Sequence, residues 1–290
     1  MLLQQIVNGI TIGGVYALVA LGYSMVYSIL RIVNFAHGDI FMIGTFIGLS
    51  LSASCGMPIY ASILFSCGLT AGAGILIERA AYRPLYSKGG LSVLISALGV
   101  DIFLQNFARA LWGSETHPYS SELKVRSYVA GGISITNIQI IIMVLTVVLL
   151  LLLYILVYRS KTGIAMRACA HSIVNARLMG INTNRIIVFT FGIGSVLAAV
   201  AGNLIGIYYD AVYPSMGYSM GMKAFAAAIL GGIGSIPGAV IGGFLIGIVE
   251  ILGSAYVSSG YRDAFAFAVM IIILVVRPSG LMGKKQQEKV

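Results

Sequence analysis

Five long stretches of this chain carry no charged side chain: residues 1–30, 40–77, 127–158, 186–209 and 224–249. Each is long enough to cross a bilayer, whose hydrocarbon core takes roughly 20 apolar residues in a helix. Strands of a membrane barrel alternate apolar and polar residues. Runs such as residues 140–153 show no alternation, so the pattern predicts helices. Spans are expected at residues 6–30, 38–55, 59–82, 90–112, 135–158, 187–209, 217–232, 236–257 and 261–277. The stretch Gly231-Gly-Ile-Gly-Ser-Ile-Pro-Gly238 interrupts the region 217–257. It either joins two short spans or closes a re-entrant hairpin. The reading is therefore an all-α, polytopic integral membrane protein of about eight or nine transmembrane helices.

Composition agrees with the pattern. Of 290 residues, 59% are hydrophobic and 9% charged, whereas soluble domains carry about 25% charged residues. Lipid is the medium that such a surface fits. The 36 glycines suit close helix packing, and Thr70-Ala-Gly-Ala-Gly74 and Ile241-Gly-Gly-Phe-Leu-Ile-Gly247 are the expected packing faces. Cys55, Cys67 and Cys169 match no zinc or redox spacing. The first apolar segment lacks a basic flank and is long enough to be a span, so it is expected to be retained rather than cleaved.

The net charge of +9 changes the picture through its distribution. Basic residues gather at the ends of apolar segments, which sets membrane orientation and does not describe a nucleic-acid surface. Arg79, Arg83 and Lys88 form one cluster. Arg159, Lys161, Arg167, Arg177 and Arg185 form a second, and Arg277, Lys284, Lys285 and Lys289 a third. The positive-inside rule places all three in the cytoplasm. Nine crossings then put the N-terminus outside and the C-terminus inside, with 113–134 as a periplasmic loop; eight crossings would break that parity. The connections are too short to hold a soluble domain. One transmembrane domain over 1–290 is expected, with a cytoplasmic segment at 159–186.

The chain shows no Gly-x4-Gly-Lys-Ser/Thr phosphate loop, no His-Glu-x-x-His and no Gly-x-Ser-x-Gly. His37, His117 and His171 are far apart in sequence. Catalytic, metal and cofactor residues are therefore not assigned, and any driving energy is expected from another chain or an ion gradient.

Four constellations are candidates for chemistry. In Arg31-Ile-Val-Asn-Phe-Ala-His-Gly-Asp39, Asp39 is placed to cap a helix and Gly38 to allow a sharp turn. The same segment reads as a helix break at which Asn34, His37 and Asp39 edge a translocation path. The segment 159–185 predicts two short helices, from Ile164 to Ala170 and from Ile173 to Met179, the second stopped by Gly180. It reads as a docking knob or as an amphipathic loop on lipid head groups. Asp101 and Glu250 fall within spans, where ionisable residues are functional candidates or interhelical ties. Glu78 is expected to pair with Arg79 or Arg83. Last, Tyr208, Tyr209 and Tyr213 beside Asp210 and Pro214 fit an interfacial aromatic belt.

Several of these segments resemble the permease family of branched-chain amino acid ABC importers, of the LivH type. The similar stretches are Asn8-Gly-Ile and Gly13-Gly-Val-Tyr-Ala-Leu-Val-Ala-Leu-Gly22, Val33-Asn-Phe-Ala-His-Gly-Asp39, Glu78-Arg-Ala-Ala-Tyr-Arg-Pro-Leu85, the run from Gly163 to Arg167, Ala176-Arg-Leu-Met-Gly-Ile-Asn182 and Gly231 to Gly238. They occur in order along essentially the whole chain. The resemblance implies a bacterial inner-membrane permease that pairs with a second, homologous permease. It further implies two ATP-binding subunits on the cytoplasmic side and an extracytoplasmic binding protein that delivers the amino acid. It makes the segment from Gly163 to Asn182 the coupling element, with Gly163, Arg167, Ala168, His171, Ala176, Arg177, Met179 and Gly180 as candidate ATPase contacts. One departure is that Ser172-Ile-Val-Asn175 lacks the acidic residues expected before Ala176. Relatives of this type carry leucine, isoleucine and valine, and similar permeases serve other amino acids, amides or urea. The rival readings are an ion-coupled secondary transporter that uses Asp39, Asp101 or Glu250 as ion sites, and a membrane scaffold. A neighbouring gene for an ATPase would favour the importer.

Overall fold

The structure is a computed structural model, and it describes residues 1–119 and 125–283. The basic tail residues Lys284, Lys285 and Lys289 lie outside the described residues. Helices occupy all nine expected stretches: α1 (Leu2–Leu30), α2 (His37–Ala53), α3 (Ile59–Ile77), α4 (Gly90–Trp112), α5 (Asn137–Arg159), α8 (Thr183–Tyr209), α9 (Met216–Gly231), α10 (Ile236–Tyr256) and α11 (Arg262–Val276). Two short helices, α6 (Lys161–His171) and α7 (Ile173–Leu178), follow α5. The loop before α5 holds a two-stranded antiparallel hairpin that the apolar pattern did not predict, β1 (Ser127–Ala130) and β2 (Ile133–Thr136). Gly131 and Gly132 turn it at positive φ, which two-residue hairpin turns require. Gln4 of α1 clamps it, accepting from Ser134 N at 2.8 Å and donating to Ser134 O at 2.9 Å.

Burial ranks the helices. The apolar window of α1 is 94% buried, against 22% for α4 and α5 and 6% for the segment containing α11. So α1 is the central post, and α4, α5 and α11 present apolar side chains outward, where lipid or another chain covers them. Glycine lets the post be approached. On α1, Gly9 and Gly13 face Gly243 and Gly247 of the antiparallel α10: a Cβ on Gly247 would lie 2.4 Å from the Gly13 Cα, and one on Gly243 2.5 Å from the Ala17 Cα. The expected face at 241–247 is thus an α1 contact. The face at 70–74 is half right. Gly74 meets Ser195 of α8, whereas Gly72 has nothing within 4 Å.

Six of the helices, and α11 taken with the 3-10 turn Ser259–Tyr261 that precedes it, are long and apolar enough to span a bilayer. The other two, α2 and α9, have 17 and 16 residues. At about 1.5 Å per residue they fall short of a hydrocarbon core of about 30 Å. Both are enclosed by other helices and start inside the bundle, where Gly38 of α2 lies against Gly217 and Gly221 of α9. Each follows a long helix in the same way. The helix α1 ends at Arg31 and α8 at Asp210, the two non-glycine residues with positive φ among those described. Six residues of non-helical backbone then lead to the short helix. Such backbone at membrane depth is tolerated when protein surrounds it or it lines a cavity.

Buried amides and hydroxyls tie the core. Asn203 of α8 donates to Gly44 O, Ser66 Oγ and Ala199 O, and accepts from Tyr119 of the loop at 2.7 Å. One side chain thereby links α8, α2, α3 and the loop. Asn203→Leu is expected to lower stability by about 1–2 kcal/mol, the range for interhelical hydrogen bonds in membranes. Thermal unfolding of the purified protein in detergent reads this directly, and an unchanged Tm would contradict it.

Candidate translocation and coupling sites

The segment from Arg31 to Asp39 is the non-helical link and first turn of α2, and its polar residues have separate jobs. Asn34 accepts from the buried Tyr82 hydroxyl at 2.7 Å, which ties the link to the π-helical turn Glu78–Tyr82 after α3. His37 is buried edge-on to Tyr23, with ring centroids 4.8 Å apart. It fits because position 22 is glycine: a Cβ there would fall 2.1 Å from His37 Nε2. Asp39 does not cap α2. The cap position is Ala36, with no side-chain cap bond, and Asp39 Oδ1 has no hydrogen-bond partner. Nor does Gly38 make a turn. It is helical, and it is small because a Cβ would lie 2.4 Å from Gly217 O.

Asp39 faces α4. Gln105 donates to its Oδ2 at 3.4 Å, and the Asp101 carboxyl is its neighbour on the same helix α4. Asp101 opens onto a cavity of about 190 Å³, also lined by Phe35, Leu98, Gly217, Tyr218 and Met222. The structure therefore brings Asp39 and Asp101 together.

Glu250 belongs to a different group, and it does not pair with Asp101. It is fully buried and accepts from Tyr16 at 2.7 Å, Lys223 at 2.9 Å and Arg262 at 2.5 Å. Lys223 also pairs with Asp263 at 2.6 Å, and Arg262 donates to the Tyr209 hydroxyl. Cβ atoms tilt toward a helix's N-terminus, so on antiparallel helices Tyr16 and Glu250 lean toward each other. Two cations and two anions offset one another and join α1, α8, α9, α10 and α11. Sequence reading missed Lys223, although a lysine between two apolar runs was the available signal. It also passed over Arg262.

Glu78 is buried too, yet it forms no ion pair among the described residues, because neighbouring Arg79 points to the exposed side. The Tyr86 hydroxyl donates to it at 3.2 Å.

At the basic end, α6 and α7 form a compact knob. Ser160 caps α6 through Gly163 N, and Ser172 caps α7 through Asn175 N. The expected helix bounds shift by a few residues because these serines set the starts. Burial recurs every third residue at Gly163, Met166 and Cys169. Gly163 is pressed on α5, where a Cβ would lie 2.2 Å from Leu156 O. Burial raises the Cys169 thiol above its ordinary range, so it stays protonated and unreactive. Ala176 is buried as well, and Ala168 is half-buried. Arg167, His171, Arg177, Met179 and Gly180 face outward. Arg167 stacks over Tyr158 and Arg177 reaches Thr183. Gly180 ends the knob at φ 80°. Beside these residues Ile164, Val174 and Leu178 are also exposed, Leu178 at 80% and Met179 at 83%.

A bundle of long apolar helices around a buried post, with two short helices that start inside it, defines a polytopic α-helical membrane protein. The model of the family "Branched-chain amino acid transport system / permease component" matches residues 5–274, and the chain belongs to that family. It is 44% identical over 301 residues to the high-affinity branched-chain amino acid transport system permease protein LivH of Escherichia coli K12, covering 99% of this chain and 97% of that one. It is 43% identical to the corresponding permease protein BraD of Pseudomonas aeruginosa, covering 99% and 98%. Among solved structures, PsaBC from Streptococcus pneumoniae in complex with Fab shares the fold, with a TM-score of 0.51 at 14% identity over 96% of this chain and 92% of that one.

Proposed function

We propose that this chain is the membrane-spanning subunit of an ATP-driven importer that moves branched-chain amino acids across the bacterial inner membrane. The observation that carries the reading is the knob of α6 and α7. Outward Ile164, Val174, Leu178 and Met179 beside Arg167 and Arg177 make the mixed apolar and basic face that a protein partner covers. Two ATP-binding subunits dock there, on this permease and on a second, homologous one. An extracytoplasmic binding protein loads the opposite end. The three basic clusters favour a cytoplasmic knob and C-terminus with the N-terminus outside. Gly163 and Ala176 shape the knob from within, while Arg167, His171, Arg177, Met179 and Gly180 form its contact face. Nucleotide-driven closure of the partners pushes α6 and α7 and, through them, α5 and α8, so that access to the path alternates between sides. Asn34, His37, Asp39 and Asp101 flank that path, and Glu250 belongs to the frame behind it.

Leu178→Asp with Met179→Asp is expected to reduce ATP-dependent leucine uptake at least tenfold while membrane insertion is retained. Charge reversal at Arg167 and Arg177, or Gly180→Pro, acts in the same direction. Uptake in proteoliposomes and co-purification of the ATPase subunits check both effects. Full uptake in these variants would overturn the coupling role. Uptake by this chain alone on an ion gradient would favour the secondary transporter.

A further inference from the structure

We infer that the cavity between α1, α4 and α9 is a transit site for one amino-acid zwitterion, with the Asp101 carboxyl in its wall, backed by the buried Asp39, as the ammonium receptor. This rests on the importer reading and adds the site at which the substrate pauses.

The first observation is an unmet charge. Asp39 is fully buried, and its Oδ1 has no partner. The Asp101 carboxyl is its neighbour on α4, Arg109 of the same helix is near enough to act on Asp39, and neither acid forms an ion pair among the described residues. Two carboxylates that close in a bilayer interior need a proton or a cation between them. The contrast with Glu250 is informative, since that buried acid has its own lysine and arginine. A substrate ammonium would supply what the Asp39–Asp101 pair lacks: one positive charge and N–H donors for carboxylate oxygens.

The second observation is the space beside it. The Asp101 side chain lines the cavity, and Gly217 both lines it and stands against Asp39, where a Cβ would lie 2.6 Å from Oδ1. The volume of about 190 Å³ compares with the ~150 Å³ cavity that accepts a benzene-sized guest, which is the scale of a branched aliphatic side chain. Phe35, Leu98 and Met222 give it an apolar wall.

The third observation concerns the other end of a zwitterion. No side chain caps α9, and its first-turn residues Gly217 and Tyr218 are in the cavity wall. Met216 N and Ser219 N donate to Tyr213 O and Ser215 O, which leaves the Gly217 and Tyr218 N–H groups, with the partial positive charge of the helix start, to suit a carboxylate. Short, broken helices in corresponding places of a transporter's two halves mark such sites, and α2 and α9 meet here.

The test uses the assembled transporter in proteoliposomes, with leucine as probe, and compares wild type with Asp101→Asn, Asp101→Glu and the cavity-filling Leu98→Trp. Leucine imported per ATP hydrolysed is expected to fall at least tenfold in Asp101→Asn and in Leu98→Trp. The conservative Asp101→Glu should recover much of the loss, and the Tm of all three should stay near wild type. Wild-type coupling in both Asp101→Asn and Leu98→Trp would overturn the site and leave the importer reading standing. Equal loss in Asp101→Glu and Asp101→Asn, together with a lowered Tm, would overturn it in favour of a structural carboxyl. No ATP-dependent leucine uptake by the wild-type assembly would overturn the importer reading itself.

Discussion

Gly247→Leu is expected to separate α10 from α1 and to leave little folded protein. The reason is backbone contact. A Cβ at position 247 would sit 2.4 Å from both the Cα and the N of Gly13, and 2.6 Å from Gly9 O. Side chains can rotate away from an intruder, but a backbone strand in a buried post cannot. Overpacking a rotatable core costs about 1–3 kcal/mol, and here the helices must also move apart along the Gly9–Gly13 and Gly243–Gly247 faces, which removes their van der Waals contact. That is a large share of a total stability of about 5–15 kcal/mol. Gly68→Leu is the control, because nothing lies within 4 Å of a Cβ there. Detergent-solubilised yield and Tm should collapse for the first variant and hold for the second. A normal Tm for Gly247→Leu would show that α1 and α10 are not packed as described.

Lys223→Met is expected to be the next most damaging change. Lys223 is almost fully buried and bridges Glu250 and Asp263. Removing one partner of a buried ion pair costs about 3–5 kcal/mol, because the remaining charge stays desolvated. Arg262 still holds Glu250, which keeps the cost toward the lower end of that range. Glu250→Gln made on top of Lys223→Met removes the carboxylate that both cations serve, and Arg262, 31% exposed, loses its acid. Each single change already breaks the Lys223–Glu250 bond, so the double variant should lose less than the sum of the two single losses, a non-additivity that a double-mutant cycle measures as coupling. Losses that simply add would show that the two side chains act independently.

Much of the architecture was legible in the chain. The long apolar runs placed nine helices to within a few residues, since a bilayer forces backbone groups to pair within each segment. Gly180 as a stop, the two short helices after α5 and the 241–247 glycine face were equally readable, because each depends on local backbone geometry or side-chain size. The candidate site was readable only in part. Asn34, His37, Asp39 and Asp101 were chosen as polar groups in an apolar setting, which gives their number and type but not their partners. The capping role of Asp39, the turn at Gly38 and the Glu78–arginine pair all failed for one reason. Each was inferred from neighbours in sequence, whereas the actual neighbours are Gly217 and Tyr86, which lie 8 to 179 residues away. Glu250 was read as an ion site or an interhelical tie, and its partner Lys223 was not foreseen.

Hydrophobicity and charge are properties of each segment against water or lipid, so the sequence alone determined the membrane class, the helix positions and the basic end. Which buried charges cancel and which stay unmet is a property of pairs brought together by packing. Only the tertiary structure could decide that Glu250 is neutralised by Lys223 and Arg262 while Asp39 and Asp101 face each other beside a cavity. The physical reason is range: an ion pair or a close backbone contact acts over a few ångströms in space, and the chain's order does not record that distance.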